Sequence, residues 1–125
     1  MIRTLDRVKA FLVSKGHTAA DIFLEHANRP KGDHILLSMT GHSARTDDGL
    51  LDWFDDTVRV TLTKVDSTMA VIKAERDTLI SELVGLHLTD EIVKSDLRVI
   101  SPPIKLGNSK SIQWIGIFQM KGCFI

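Results

Sequence analysis

The residues that most often carry metal chemistry are scattered along this chain. None of its five histidines pairs with another His, a Cys or a Glu at a ligand spacing such as HExxH. The eight-residue spacing shared by three of them matches no known ligand pattern. We therefore expect no metal site, and histidines that are solvated or locally hydrogen-bonded; they are His17, His26, His34, His42 and His87.

Candidate nucleophiles are equally isolated. The single cysteine, Cys123, has no companion that would activate it, so a small buried residue of the core or an interface is expected. The serines lack the strand–turn–helix context of a nucleophile elbow. Glycine-rich phosphate loops are absent, because Gly32 and Gly49 stand alone in their turns. The sequence predicts no catalytic residues, no cofactor and no enzymatic activity.

One acidic stretch does stand out, at residues 47–56. Its sequence, DDGLLDWFDD, holds five aspartates and no basic residue: Asp47, Asp48, Asp52, Asp55 and Asp56. It is not an EF-hand loop, since the alternate-position ligands and the terminal Glu are missing. A weakly bound divalent ion is one alternative, and an ordinary solvated face is another.

The opposite charge gathers near the end of the chain. Residues 97–125 contain no Asp or Glu and carry Arg98, Lys105, Lys110 and Lys121. Acidic and basic patches on one subunit suit a head-to-tail contact between identical subunits, which closes into a ring if the rotation allows. In that hypothesis Asp55 and Asp56 face a neighbour's lysine, while Trp53 and Phe54 supply the apolar anchor.

Composition limits the remaining possibilities. The 125 residues suggest one domain, 1–125, and the net charge of zero argues against a general polyanion-binding surface. One cysteine fits a reducing compartment, and no apolar run approaches the ~20 residues of a transmembrane helix. We expect an intracellular protein without a membrane segment.

Hydrophobic periodicity predicts an α+β fold. A mostly antiparallel sheet with two main helices on one face fits the order of elements. Ser67 is the expected N-cap of the second helix, and residues 86–95 are left unassigned. The predicted elements are a helix at 2–15, strands at 21–25, 34–40 and 50–65, a helix at 68–84, a strand at 97–106 broken by Pro102-Pro103, and a last strand at 111–125, with polar loops at 28–33 and 41–49.

The last strand is apolar on both faces. Ile112, Trp114, Phe118 and Met120 alternate with a second row that includes Ile115 and Ile117, and Gly116 leaves a gap in the first row. Side chains of a strand alternate between faces, so one row can serve the core while the other also has to leave water. Two helices cover only part of a sheet with strands this long, which favours a partner for the remainder.

This layout resembles the tail terminator proteins of tailed bacteriophages. The segments that carry the resemblance run in the same order along nearly the whole chain. They are an N-terminal amphipathic helix, a short strand and Arg-Pro loop (22–24, then Arg29-Pro30), a buried strand ending in Thr-Gly (35–41), a long polar and acidic loop, an alternating strand (58–62), a helix, and a strand pair ending in an aromatic-rich strand.

The resemblance implies a structural role in the virion. Proteins of this family are α+β domains that form a hexameric ring, which caps the head-proximal end of the tail tube and stops its polymerisation. The expected partners are further copies of the chain, the tail tube protein and the head connector, with DNA passing transiently through the lumen. The subunit or tube interface is then expected at Asp47, Asp48, Asp52, Trp53, Phe54, Asp55, Asp56, Lys105, Lys110, Trp114 and Lys121. The acidic stretch could instead line the lumen.

Two alternatives remain open at this stage. A head–tail connector or tail-completion protein of the neck would differ from a terminator only in its binding partner. A small α+β binding domain, which is a different class, would require a concave pocket with convergent polar groups. The sequence carries no sign of such a pocket.

Overall fold

The computed structural model describes residues 4–25, 32–47, 51–86, 92–107 and 110–124. Within these ranges the chain forms α1 (Thr4–Ser14), a 3₁₀ turn (Ala19–Asp21), β1 (Ile22–Leu24), β2 (His34–Asp47), β3 (Leu51–Val65), α2 (Met69–Val84), β4 (Ile92–Ile100), β5 (Ile104–Lys105) and β6 (Ser111–Phe124). The predicted α+β class is confirmed.

The strands form one mixed sheet in the order β1-β2-β3-β6-β4, and β5 pairs with β6 beside β4. All pairings are antiparallel except β1 with β2, which is parallel. The last strand is therefore central. It pairs with β3 along its length on one side, and with β4 and β5 on the other.

Both helices pack on the same face of this sheet. Thr4 of α1 donates a hydrogen bond to Asp56, and Glu75 of α2 binds Lys64 at 2.8 Å between Oε1 and Nζ. Asp56 and Lys64 are even-numbered residues of β3, so they point to one side. α1 lies over β1 and β2, whereas α2 lies over β4 and β6.

The core fills the space between the helices and this covered face. Ile112, Trp114, Phe118 and Met120 are at most 2% exposed, as predicted for the inner row of the last strand. Facing them from the helices are the buried side chains Leu5, Val8, Leu12, Ile72, Leu79 and Leu83. Met69, in the first turn of α2, lies outside this core and is 39% exposed.

The predicted polar loop at 41–49 is wrong as far as residue 47. β2 continues through this segment to Asp47, after an irregularity between Met39 and Gly41, and pairs with β3 from Leu51 to Thr57. Hydrophobic alternation cannot detect such a segment, because the sequence GHSARTD has no alternating row of apolar residues and the strand is defined by cross-strand backbone bonds. Residues 48–50 lie outside the described part.

Two smaller predictions also need correction. The N-cap of α2 is Thr68 rather than Ser67, since the Thr68 side chain accepts a hydrogen bond from the backbone N of Val71 at 3.3 Å. Within the unassigned stretch 86–95, residues from Ile92 onward belong to β4. β4 and β5 both pair antiparallel with the last strand, and Pro102-Pro103 separates them from each other.

Gly116 is required by the indole of Trp114. A Cβ at position 116 would lie 2.6 Å from both Cη2 and Cζ2 of that ring, which is closer than carbon atoms approach without displacement. Trp114 is fully buried, so the ring has little room to move. The indole of Trp114 thus fills the gap that Gly116 leaves in the inner row.

We predict that Gly116→Ala lowers the free energy of unfolding by about 1–3 kcal/mol, the usual cost of overpacking a core. Urea denaturation measures the effect. Gly32→Ala is the matched control, because a Cβ there has no atom within 4 Å. Equal stability of the two variants would contradict the proposed packing of the indole over Gly116.

Candidate functional site

The acidic stretch at one end of the sheet separates into buried and exposed parts. Phe54 and Asp56 point to the covered face and are 3% and 1% exposed. Asp55 points to the opposite face, where both of its carboxylate oxygens accept from Gln119 Nε2, at 2.8 and 3.0 Å. The backbones of Asp47, Asp52 and Trp53 belong to the β2–β3 ladder, while their side chains, and Asp48 entirely, lie outside the described part.

Asp56 is the centre of a buried hydrogen-bonded cluster. Thr4 Oγ1 donates to Asp56 Oδ2, and His42 Nδ1 shares a hydrogen bond with Asp56 Oδ1. Thr4 is buried, whereas the side chain of His42 is 56% exposed. This carboxylate therefore ties the first turn of α1 to β2 and β3, and it presents no surface to a neighbouring subunit.

The basic residues also fall into different places. Lys121 is exposed and pairs in register with Asp55 of the same subunit. Lys105 and Lys110 lie at the other end of the sheet, where Lys105 pairs with Ile112 and Lys110 Nζ is 3.8 Å from Asp66 Oδ1. Trp114 lies in the core and is not exposed. Carboxylates occur at that other end of the sheet too, among them Asp66, Asp33 and Glu75, so acidic and basic residues are not separated along the strands.

The second face of the sheet is covered by neither described helix. Ile115 and Ile117 of β6 lie half-buried on this open face, and Leu36 of β2 is half-buried beside them. Thr61 and Thr63 of β3, short side chains between longer ones, are 7% and 6% exposed. The open face therefore carries a narrow apolar strip, with Gln113 and Gln119 on either side of it along β6 and the exposed Arg59 directly opposite Ile117.

A cavity of about 330 Å³ lies on the covered side, at the end of the sheet away from the acidic stretch. Ile22, Ile35, Leu62 and Leu79 line its interior, and each is at most 6% exposed. No pattern in the sequence indicates this cavity. Its walls come from the turn after α1, from three strands and from α2, so only the folded chain brings them together.

Ionisable groups surround the mouth of the cavity. Lys64 Nζ lies 3.1 Å from Asp33 Oδ2 and 2.8 Å from Glu75 Oε1. Partial burial opposes the charge of Lys64, but the hydrogen bonds with Glu75 and Asp33 outweigh it and raise its pKa above 10.5. Asp21 also lines the cavity, and its carboxylate has no partner among the described residues.

The carboxylate of Asp33 is held in its charged form. The backbone N–H of Val65 donates to Asp33 Oδ1 at 2.7 Å, and this bond is the main cause of a lowered pKa for Asp33. Slight burial acts in the opposite direction, and Lys64 adds to the lowering. Asp33 thus connects the start of β2 to the end of β3.

No three His, Cys, Asp or Glu side chains converge as a metal site among residues that the structure describes. Neither α1 nor α2 has the length and apolar run needed to cross a bilayer.

Comparison with known proteins finds a solved structure with a similar fold. No protein-family model matches the chain, and no curated protein matches it. A solved structure does: a chain of the virion of a native gene transfer agent particle, with a TM-score of 0.58 and 11% sequence identity. The match covers 94% of this chain and 84% of that chain. At this identity the likeness shows a shared fold.

We predict that Asp56→Ala destabilises the protein by about 2 kcal/mol or more, because it leaves buried Thr4 without its acceptor and removes the link to His42. Asp55→Ala, the adjacent control of the same charge, should cost less than about 1 kcal/mol, since its side chain is partly solvated. Urea denaturation compares the two. Similar losses would show that the cluster around Asp56 does not hold α1 to the sheet.

The lowered pKa of Asp33 predicts a loss of stability in acid. A carboxyl group whose folded pKa lies below its unfolded value of 3.8 stabilises the fold above that value, and this contribution disappears as the pH falls through the folded pKa. Between about pH 5 and about pH 2, the urea midpoint should therefore fall further for the wild type than for Asp33→Asn. Urea midpoints that fall equally with pH in the two proteins would contradict the lowered pKa of Asp33.

Proposed function

We propose that this chain is a structural, non-enzymatic protein of a virion. The observation that carries the proposal is the fold shared with a chain of the gene transfer agent virion, over nearly the whole length of both. The order of elements in the sequence independently resembles the tail terminators of tailed bacteriophages. The shared fold and the order of elements in the sequence thus favour the same class of protein.

Within that class we infer a tail terminator. The chain would form a ring, of six subunits as in the family it resembles, at the head-proximal end of the tail tube. There it would stop tube polymerisation and join the tail to the head connector, with DNA passing through the lumen. Its location would be the tail or neck of the virion, after synthesis in the host cytoplasm.

The open face supports an assembling role. Both helices pack on the other side of the sheet, so Ile115, Ile117 and Leu36 keep part of their apolar surface in contact with solvent. Apolar surface that is contiguous and edged by polar groups is typical of protein–protein contacts. We propose that the next subunit of the ring covers this strip.

The charged residues give this contact no direction along the strands. The acidic stretch lies at one end of the strands, with Lys105 and Lys110 at the other. That second end also holds carboxylates of its own, among them Asp66 beside Lys110 and the two carboxylates that bind Lys64. Lys121 is adjacent to Asp55 in its own sheet, so pairing of Asp55 with Lys121 of a neighbour is not required.

A connector or tail-completion protein of the neck is the second candidate. The same fold and the same open face would serve it equally well, and the identity of the binding partner separates the two. A pull-down with purified tail tube protein and purified connector protein distinguishes them. A terminator binds tube protein, whereas a connector or completion protein that does not contact the tube fails to.

We predict a discrete oligomer of the wild-type chain in light scattering or native mass spectrometry, either alone or after addition of tail tube protein. Ile117→Glu should abolish it, because a carboxylate on the open face, even beside Arg59 opposite it, would have to leave water when the contact forms. Val84→Glu is the control, since Val84 is 45% exposed on α2. A wild-type chain that stays monomeric with tube protein would refute the ring.

A further inference from the structure

The cavity beside Lys64 combines an apolar interior with a charged mouth. Its interior is lined by the aliphatic side chains of Ile22, Ile35, Leu62 and Leu79. Its volume, about 330 Å³, lies at the lower end of the range typical of small-ligand sites. A ligand that fits must therefore carry an apolar portion of modest size.

Charge at the mouth defines the rest of the ligand. Asp21, Asp33 and Glu75 are three carboxylates, and Lys64 is the one ammonium among these lining groups. Lys64 forms ion pairs with both Asp33 and Glu75, so its single positive charge balances only one of these two carboxylates. The negative charge of Asp21 is balanced by none of these lining groups. An anion would be repelled here, and a neutral ligand would desolvate carboxylates without pairing them.

We propose that this cavity binds an aliphatic cation, an alkylammonium or alkylguanidinium group. The methylene chain lies along the apolar interior while the cation pairs with Asp21 and with the oxygen of Glu75 that Lys64 does not use. Lysine and arginine side chains likewise place their methylene groups against apolar surface and their charged ends in polar surroundings. The site is separate from the open face and does not depend on the proposed ring.

Two sources supply this chemistry: a lysine or arginine side chain of a partner protein, or a free small amine. Both present the same group, and the geometry of the cavity accepts either. His17 and His34 also line the cavity, but each is engaged elsewhere, His17 Nε2 with Glu82 at 2.8 Å and His34 Nδ1 with the carbonyl of Gly32 at 2.8 Å.

The test is an NMR titration of the full chain, following backbone amides, with two probes. One is 1,5-diaminopentane and the other is a capped Gly-Lys-Gly peptide. Shifts that concentrate at Thr18, Asp21, Leu62 and Thr78 are expected, with saturation at millimolar concentration. The probe that saturates at the lower concentration identifies the source, a free amine or a protein side chain.

Matched variants separate the site from general charge attraction. Asp21→Asn should weaken binding about fivefold or more, whereas Asp77→Asn, an exposed residue of α2 outside the cavity, should leave it unchanged. The capped peptide with acetylated lysine should not bind. The proposal is overturned if neither probe shifts these amides, if both variants bind alike, or if the acetylated peptide binds as well as the charged one.

Discussion

The packing of the last strand is the constraint on which the rest of this fold depends. β6 pairs with β3 along one edge and with β4 and β5 along the other, so four of the six strands meet through it. Its inner row supplies the largest buried side chains, and the indole of Trp114 occupies the space above Gly116. Because interiors are close-packed, the helices can approach this row in few ways. The position of α2 follows from that surface.

Covering one face leaves the other in contact with solvent. An antiparallel sheet tolerates such an arrangement when its open face is polar, but here Ile115 and Ile117 keep apolar surface there. The threonines of β3 reduce the exposed apolar area, and Gln113 and Gln119 flank it. A face of this kind suits a protein whose partner arrives after folding.

Neighbouring residues of one strand have opposite roles because side chains alternate. Asp55 and Asp56 are adjacent in sequence, yet one binds Gln119 on the open face and the other is buried with Thr4 and His42. Register along β6 separates the lysines, since Lys121 lies beside Asp55 while Lys105 lies at the far end of the sheet. Charge that looks like two patches in the sequence is divided between both ends of the sheet in the folded chain.

The sequence by itself determined the class of fold, the elements with strong hydrophobic periodicity and the inner row of the last strand. These depend on local alternation, which is visible in a single segment. Tertiary structure alone decided that β2 extends through 41–47, that Asp56 is buried, and that Asp21, Asp33, Lys64 and Glu75 surround a cavity. Those features join segments far apart in the chain, through cross-strand pairing and helix packing that no local pattern specifies.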